Sequence, residues 1–443
     1  MVVQAWSRTM RCIGGLPCEI PTEILIMREP DATEERCLDQ AVPAKTSYET
    51  PIGPEGRPGQ VNPSPRSRNE EFPNGSGDRP AQVLANRSWR DARLMSAEPT
   101  AQLFVDLSRG FDMALGQSLA SVQEFFLAVA GGVARLRVVG SDLADHLLRP
   151  WKHLMVPRSA HVTPALSIDV WDENATQVRC QVRDSAVSSQ AKTAFSADGR
   201  FSAEQLSRTL SCLDRRTGRL LASVVWDDRV PPYEWAKPLC VPLLHWCEAQ
   251  GVHTVHAGLT SHAGNGVLLP GMSGAGKSTA ALGCVVGGHG FLADDLVGVQ
   301  CLPGNTYLGH SLYGSLSIAK QHLRRFPEAA RYAIPNPCPD DGKHLVALWG
   351  GFPHLLQRSV RVQAIAIPRI TGRRESRVLP ARKRDALIAV GVSSLLLIPQ
   401  RDNRLLEILS GMVEQLPCFW LELGHDVGNI AARVEEIIER EAP

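Results

Sequence analysis

A chain of 443 residues, 44% hydrophobic and 21% charged, is long enough for two or three domains and apolar enough to bury a core over most of its length. A formal net charge of +1 leaves no electrostatic case for binding nucleic acid or an acidic membrane surface. Eleven scattered cysteines, with no C-x-x-C pair, fit buried free thiols in a reducing compartment rather than a disulfide framework or a zinc site. No segment reaches eighteen apolar residues, so no membrane span is expected. The first twenty residues lack a basic start followed by an apolar core, so no secretion signal is read and a cytoplasmic location is expected.

Residues 1–100 read as a disordered extension. Between Pro51 and Pro80 lie seven prolines and five glycines with a single aromatic, Phe72, too little apolar surface to offset chain entropy. A short amphipathic piece at Glu23–Met27 stands out in it. From about Thr100 the texture changes. Leu103, Leu107, Phe111, Leu115 and Leu119 recur at helical spacing, predicting one or two helices over Leu103–Leu127. Strand-like runs follow at Ala134–Val139, Leu166–Trp171 and Gln177–Val182. Leu210–Cys212 and Arg219–Trp226 flank the turn Arg215-Arg216-Thr217-Gly218. Residues 101–235 thus read as a small, mostly antiparallel α+β module with no catalytic constellation. Pro231-Pro232 opens a helix over Tyr233–Ala249, closed by Gly251, and a strand over Thr254–Leu259 comes next.

The run Gly266-Val267-Leu268-Leu269 leads into Gly271-Met272-Ser273-Gly274-Ala275-Gly276-Lys277-Ser278-Thr279, a complete G-x-x-x-x-G-K-[ST] loop, and Ala280-Ala281-Leu282 continues it. That order is strand, glycine loop, helix, the setting a phosphate-binding loop requires. The glycines let backbone N–H groups face a phosphate, and the helix adds the positive end of its dipole. Lys277 would reach the outer phosphates and Ser278 would ligate Mg²⁺, with ATP the expected nucleotide. Eighteen residues beyond Lys277, Phe291-Leu292-Ala293 runs into Asp294-Asp295, at the strand end where ligands gather in an α/β sheet. One aspartate there can hold Mg²⁺. The other can accept a proton from an attacking hydroxyl. His256, on the strand before the loop, is a further candidate.

Beyond this stretch the pattern predicts β structure over Thr306–Ser317, a basic helix at Ile318–Phe326, and a loop rich in proline and charge over residues 332–344. A strand at Val362–Ile367 follows, then helices at Lys383–Leu397 and Asn403–Gln415. A strand at Cys418–Leu423 and a helix at Val427–Glu441 end the chain. Arginines 358, 361, 369, 373 and 374 flank the Val362–Ile367 strand, and Lys343 lies in the charged loop; either group could offset developing phosphoryl charge.

Val255-His256-Ala257-Gly258, GMSGAGKST and GHGFLADDLV together resemble the HPr kinase/phosphorylase catalytic domain, and more closely the HPr-serine-kinase-like proteins related to it. The resemblance implies an α/β fold in which the α+β module precedes, over residues 236–443, a phosphate-loop domain akin to the nucleotide domain of phosphoenolpyruvate carboxykinase. It implies that Asp295 is the general base, that Lys277 and His256 stabilise the transferring phosphoryl group, and that Ser278 binds Mg²⁺ beside Asp294. Arg361 is taken as the counterpart of the family's downstream arginine. The acceptor would be a serine of a protein or peptide, or a small hydroxyl compound, and the oligomers formed by the kinase/phosphorylase type make a homo-oligomer a candidate assembly. The sequence departs from the family in its Thr279-Ala280-Ala281 helix start. It also lacks a carboxylate over residues 312–320, which puts phosphorolysis, and HPr as substrate, in question. A motor ATPase is set aside, because no strand ending in Asp-Glu lies downstream and Leu409-Ser410-Gly411-Met412 is only a fragment of the signature such proteins need. A nucleotide-binding sensor that does not transfer phosphate is the alternative.

Overall fold

The structure, a computed structural model, describes residues 93–440 apart from 96, 118–121, 160–161, 183–191, 228, 336–341, 396 and 398–402. The Glu23–Met27 piece and all but the end of the residue 1–100 extension therefore lie outside the described residues. The described part is mixed helix and sheet, as an α/β assignment requires.

Strands β1 (Arg93–Met95), β2 (Val122–Val129), β3 (Gly132–Val139), β4 (Met155–Val156), β5 (Leu166–Asp172), β6 (Lys192–Ser196), β7 (Phe201–Gln205), β8 (Thr209–Asp214) and β9 (Arg219–Val224) form one sheet. Its order is β1-β6-β7-β8-β9-β5-β3-β2-β4. The β1/β6, β3/β5 and β5/β9 pairs are parallel. Both faces are covered. Val170, Leu213, Leu220 and Ala222 point to one core, while their neighbours Trp171, Cys212 and Leu221 point to another. Strands buried on both sides read as nearly unbroken apolar runs instead of alternating ones. Helix α1 (Ala97–Gln117) closes one face with Leu107, Phe111 and Ala114, all fully buried at helical spacing. The helix predicted to run to Leu127 ends ten residues early. Val122–Val129 pairs along its whole length with β3 through a turn at Ala130-Gly131, both in the left-handed region as a tight hairpin demands. Gln177–Val182 is not a strand: Trp171 Nε1 donates to the Val178 carbonyl and packs that segment down as a loop.

After a short helix, α2 (Ser141–Leu148), and the β5–β9 strands comes the segment predicted as one helix over Tyr233–Ala249. It is two: α3 (Pro232–Ala236) and α4 (Cys240–Ala249). Pro238 forces Lys237 out of helical backbone (φ −135°, ψ 64°), and Leu239 turns left-handed at φ 54°. Leu243, Leu244, Trp246 and Cys247 of α4 then join the core that holds Leu136, Ile168 and Leu220.

The second sheet contains β10 (Val252–Val255), β11 (Ala257–His262), β12 (Asn265–Pro270), β13 (Gly290–Ala293), β14 (Val297–Leu302) and β15 (Thr306–His310), with three later strands. A small separate sheet of β16 (Ser315–Ala319), β17 (Ala333–Pro335) and β18 (Lys343–Ala347) intervenes. Then come β19 (Ser359–Ile370), β20 (Arg377–Pro380) and β21 (Cys418–Leu423). The order is β10-β14-β15-β19-β12-β11-β13, with β21 on β19 and β20 on β21. The 12-residue β19 is the spine, parallel to both β12 and β21. Helix α5 (Lys277–Val286) follows β12, helices α6 (Lys383–Ser394) and α7 (Arg404–Gln415) precede β21, and α8 (Ile430–Arg440) ends the described chain. Gly283 and Gly287 let α8 approach α5 closely, because a Cβ on either would strike Ile430 or Ala431.

Candidate active site

The glycine loop leaves the end of β12 and turns into α5 at Gly276, which sits left-handed at φ 105°. A side chain there would be strained and would also collide with Leu423 of β21, so only glycine fits. Lys277, buried, folds back over the loop and donates to the carbonyls of Gly271 (2.9 Å) and Met272 (3.3 Å). Burial lowers its pKa, against the raising pull of Asp295 and Asp294. Met272 stands exposed at the loop tip, and Thr279 is buried one residue into the helix behind Ser278.

The strand β13 delivers Asp294 and Asp295 beside the loop. Ser278 Oγ lies 2.9 and 3.1 Å from the two carboxylate oxygens of Asp294, which also accepts from the Ser317 backbone N–H at 3.0 Å. Burial, then the charge of Asp295, pushes the Asp294 carboxyl up to about 6. A buried carboxylate with a hydroxyl and an amide for partners, and a second carboxylate next to it, is a donor set suited to a divalent cation.

Asp295 differs. Its backbone is left-handed at φ 68°, a strained conformation that Asp tolerates better than most residues. Its side chain is 29% exposed, whereas that of Asp294 is buried. His256 Nε2 lies 3.5 Å from one carboxylate oxygen and Lys237 Nζ 3.4 Å from the other. Burial alone would raise the Asp295 carboxyl, but Lys237, His256 and Lys277 outweigh it and hold it well below the usual carboxylate range. His256 occupies the break between β10 and β11, with its backbone N–H donating to Ser394 Oγ. Burial lowers its pKa more than Asp295 raises it.

Lys237 is the residue that sequence reasoning missed. The helical pattern places it inside one continuous helix, whereas the break at Lys237-Pro238-Leu239 brings its Nζ to 3.4 Å from Asp295 Oδ2 and 3.4 Å from the Asp294 carbonyl. The pair Lys-Pro inside a helical pattern was the available signal. Lys343, at the start of β18, lies near enough for its charge to bear on Lys277.

Arg361 is not brought to the site. It pairs with Asn265, where β12 begins, whereas the glycine loop leaves after Pro270 at the other end. Five residues of strand separate the two ends by about 17 Å. The far end of β19 is the one that meets the loop, with Ile370 against Gly276. Around it Arg369 binds Glu422 at 2.7 Å, and Arg373 and Arg377 approach the same carboxylate.

Residues 249–319 match the family described as the HPr Serine kinase C-terminal domain. This stretch carries the glycine loop, both aspartates and His256. Over this stretch the chain is similar to HPr serine kinases. It is 40% identical over 62 residues to the HPr kinase/phosphorylase of Treponema pallidum (strain Nichols), which covers 14% of this chain and 19% of that protein. It is 46% identical over 59 residues to the HPr kinase/phosphorylase of Lactobacillus acidophilus, covering 13% and 18%. The matches therefore span about a fifth of the length of these curated relatives. The solved structure of the HPr(Ser) kinase/phosphatase from Coxiella burnetii aligns at 12% identity with a TM-score of 0.24, over 42% of this chain and 97% of that one. At that similarity it bears on neither fold nor function. No helix among the described residues is long and apolar enough to cross a membrane.

Proposed function

We propose that the protein is an ATP-dependent kinase of the HPr serine kinase type, transferring the γ-phosphoryl group to a serine or other hydroxyl. The observation that carries this reading is the unlike pair Asp294 and Asp295: one buried on Ser278, the other ionised, partly exposed and flanked by His256 and Lys237. Ser278 and Asp294 would hold Mg²⁺, which would neutralise phosphate charge. On nucleotide binding, Lys277 exchanges the loop carbonyls for the outer phosphates. Asp295 takes the proton of the acceptor hydroxyl as its oxygen bonds to the γ-phosphorus and the bond to ADP breaks. Negative phosphate drawn against Lys277 and Lys237 weakens their hold on Asp295 and raises its basicity for that step. His256 steadies the transferring group as a neutral donor, and an arginine would have to come from the Arg369–Arg374 end of β19 instead of Arg361.

The catalytic unit would be residues 236–443, with residues 101–235 presenting the acceptor, a protein, peptide or small hydroxyl compound. The described cysteines are all free, which fits the cytoplasm as the site of action. Homo-oligomerisation belongs to the same proposal. A second reading is a nucleotide sensor, favoured by one observation: over residues 312–320, Asp294 meets only the Ser317 backbone N–H and no further carboxylate. The test is label transfer from γ-labelled ATP with Mg²⁺ to a panel of phosphocarrier proteins, serine peptides and small alcohols, with Asp295→Ala alongside. Transfer that vanishes in the variant supports the kinase. Tight ATP binding with no transfer to any acceptor or to water overturns it in favour of the sensor.

A further inference from the structure

At the opposite end of α5 from the glycine loop, three side chains from three elements converge. Antiparallel pairing of β11 with β13 sets Ser261 opposite Gly290, which places His262 and His289 side by side across the strands. Their rings are 4.7 Å apart, centroid to centroid. Helix α8 supplies the third group. Ala431 packs on Gly287, and Glu435, one turn further along the same helix face, reaches the histidines. Glu435 Oε1 lies 3.0 Å from His289 Nε2 and 3.6 Å from His262 Nδ1. The three ligand atoms all fall within 4.8 Å of one another.

We propose that His262, His289 and Glu435 form a binding site for a divalent transition-metal ion of the Zn²⁺ class, separate from the nucleotide site. Ligands held 2.0–2.2 Å from a tetrahedral ion lie about 3.4 Å apart, and the two Glu435 distances bracket that value. Two imidazoles and one carboxylate are a donor set borderline metals take up, whereas Mg²⁺ and Ca²⁺ favour oxygen alone. The site stands beyond the C-terminal end of α5, whose last carbonyls carry partial negative charge that favours a cation. His289 is buried while His262 and Glu435 are about 42% and 35% exposed, so one face of the ion stays open to solvent. Three protein ligands would leave a fourth position for water. The ion would tie the β11–β12 turn, the α5–β13 turn and α8 together, clamping the far end of the helix whose start forms the glycine loop.

The test is titration of the full chain, freed of metal by chelation, with Co²⁺ followed by its visible d–d absorption, and then with Zn²⁺. One equivalent should give tetrahedral-type bands that Zn²⁺ abolishes. The bands should vanish or require about tenfold or more Co²⁺ in His262→Ala and in Glu435→Gln, and persist in Ser278→Ala. Far-UV circular dichroism should match the wild type in all three, since the first two side chains are part-exposed. Absence of bands in the wild-type protein, persistence of the same affinity in both His262→Ala and Glu435→Gln, or loss in Ser278→Ala alone would overturn the proposal. A rise in Tm on adding Zn²⁺ to the wild type but to neither ligand variant is the second expected readout.

Discussion

Two buried carboxylates, Asp169 within the first large sheet and Asp294 just past a strand of the second, have opposite surroundings. Asp169, on β5, is wholly buried and lies 2.8 Å from both Arg137 and Arg219. Its charge is fully answered within the sheet, which leaves nothing for a ligand to supply. Asp294, on the turn after β13, is buried as well, but its hydrogen-bond partners are a hydroxyl and an amide, and the charge that bears on it most is another carboxylate, ahead of the Lys237 cation. A group compensated inside the fold serves the fold. One left short of positive charge is poised for something that arrives from outside. The N-terminal sheet follows the first pattern elsewhere too: Asp214, on β8, is gripped by both Nε and Nη2 of Arg200.

The comparison can be broken most sharply at Asp295. Asp295→Asn keeps the shape and removes the proposed base, and should lower kcat for phosphoryl transfer by about 10²–10⁴-fold while the thermal melt stays near wild type. A variant with full activity would remove Asp295 from the chemistry. The mirror experiment is Asp169→Ala. It strands two arginines that are a quarter exposed, and should cost about 3 kcal/mol in urea denaturation. Transfer activity per folded molecule should be unchanged, and a specific loss of turnover would deny the contrast. Lys237→Gln comes next. It removes a positioning group from Asp295, and should reduce turnover by about 10–100-fold while ATP affinity moves less. A change in affinity alone would make Lys237 a nucleotide contact instead.

The smallest effect concerns two histidines that stay neutral. Burial lowers His153 to about 4, with the charge of Arg358 adding to it, and lowers His310 to about 4 by burial alone. His153 Nε2 lies 2.8 Å from Oγ of Ser311, the residue after His310, and His310 Nε2 lies 3.1 Å from Gln300 Oε1. Both bind protons more weakly folded than unfolded. Their stabilising effect is therefore complete above the unfolded value near 6.5 and is lost as pH falls from there towards 4. Each should contribute a slope of at most about 1.4 kcal/mol per pH unit in that window. Denaturant midpoints measured between pH 7 and pH 5 should fall accordingly, and His310→Asn should flatten the slope. A midpoint that holds constant, or rises, would show that these rings are solvated.

Local signals alone made the glycine loop legible. The spacing of Gly271, Gly276, Lys277 and Ser278 encodes its own backbone, and an apolar strand before it and an alanine-rich helix after it complete the unit. Asp294-Asp295 was readable for the same reason, since a strand that ends in carboxylates so soon after such a loop has few places to go. The β5, β8, β9 and β21 strands were also visible as apolar runs bounded by turns. Val122–Val129 was not, because Leu119 prolongs a helical rhythm and only the partner strand β3 decides between helix and sheet.

The sequence by itself determined the glycine-loop unit and the acids beside it, because those features depend on residues a few positions apart. Tertiary structure alone decided what lies around them. Lys237 reaches Asp295 across 58 residues, Ser317 reaches Asp294 across 23, and Glu435 meets His289 across 146. It also decided against Arg361, whose place depends on which end of β12 runs beside β19. Strand register and helix breaks set such distances, and both follow from long-range packing that no local pattern encodes.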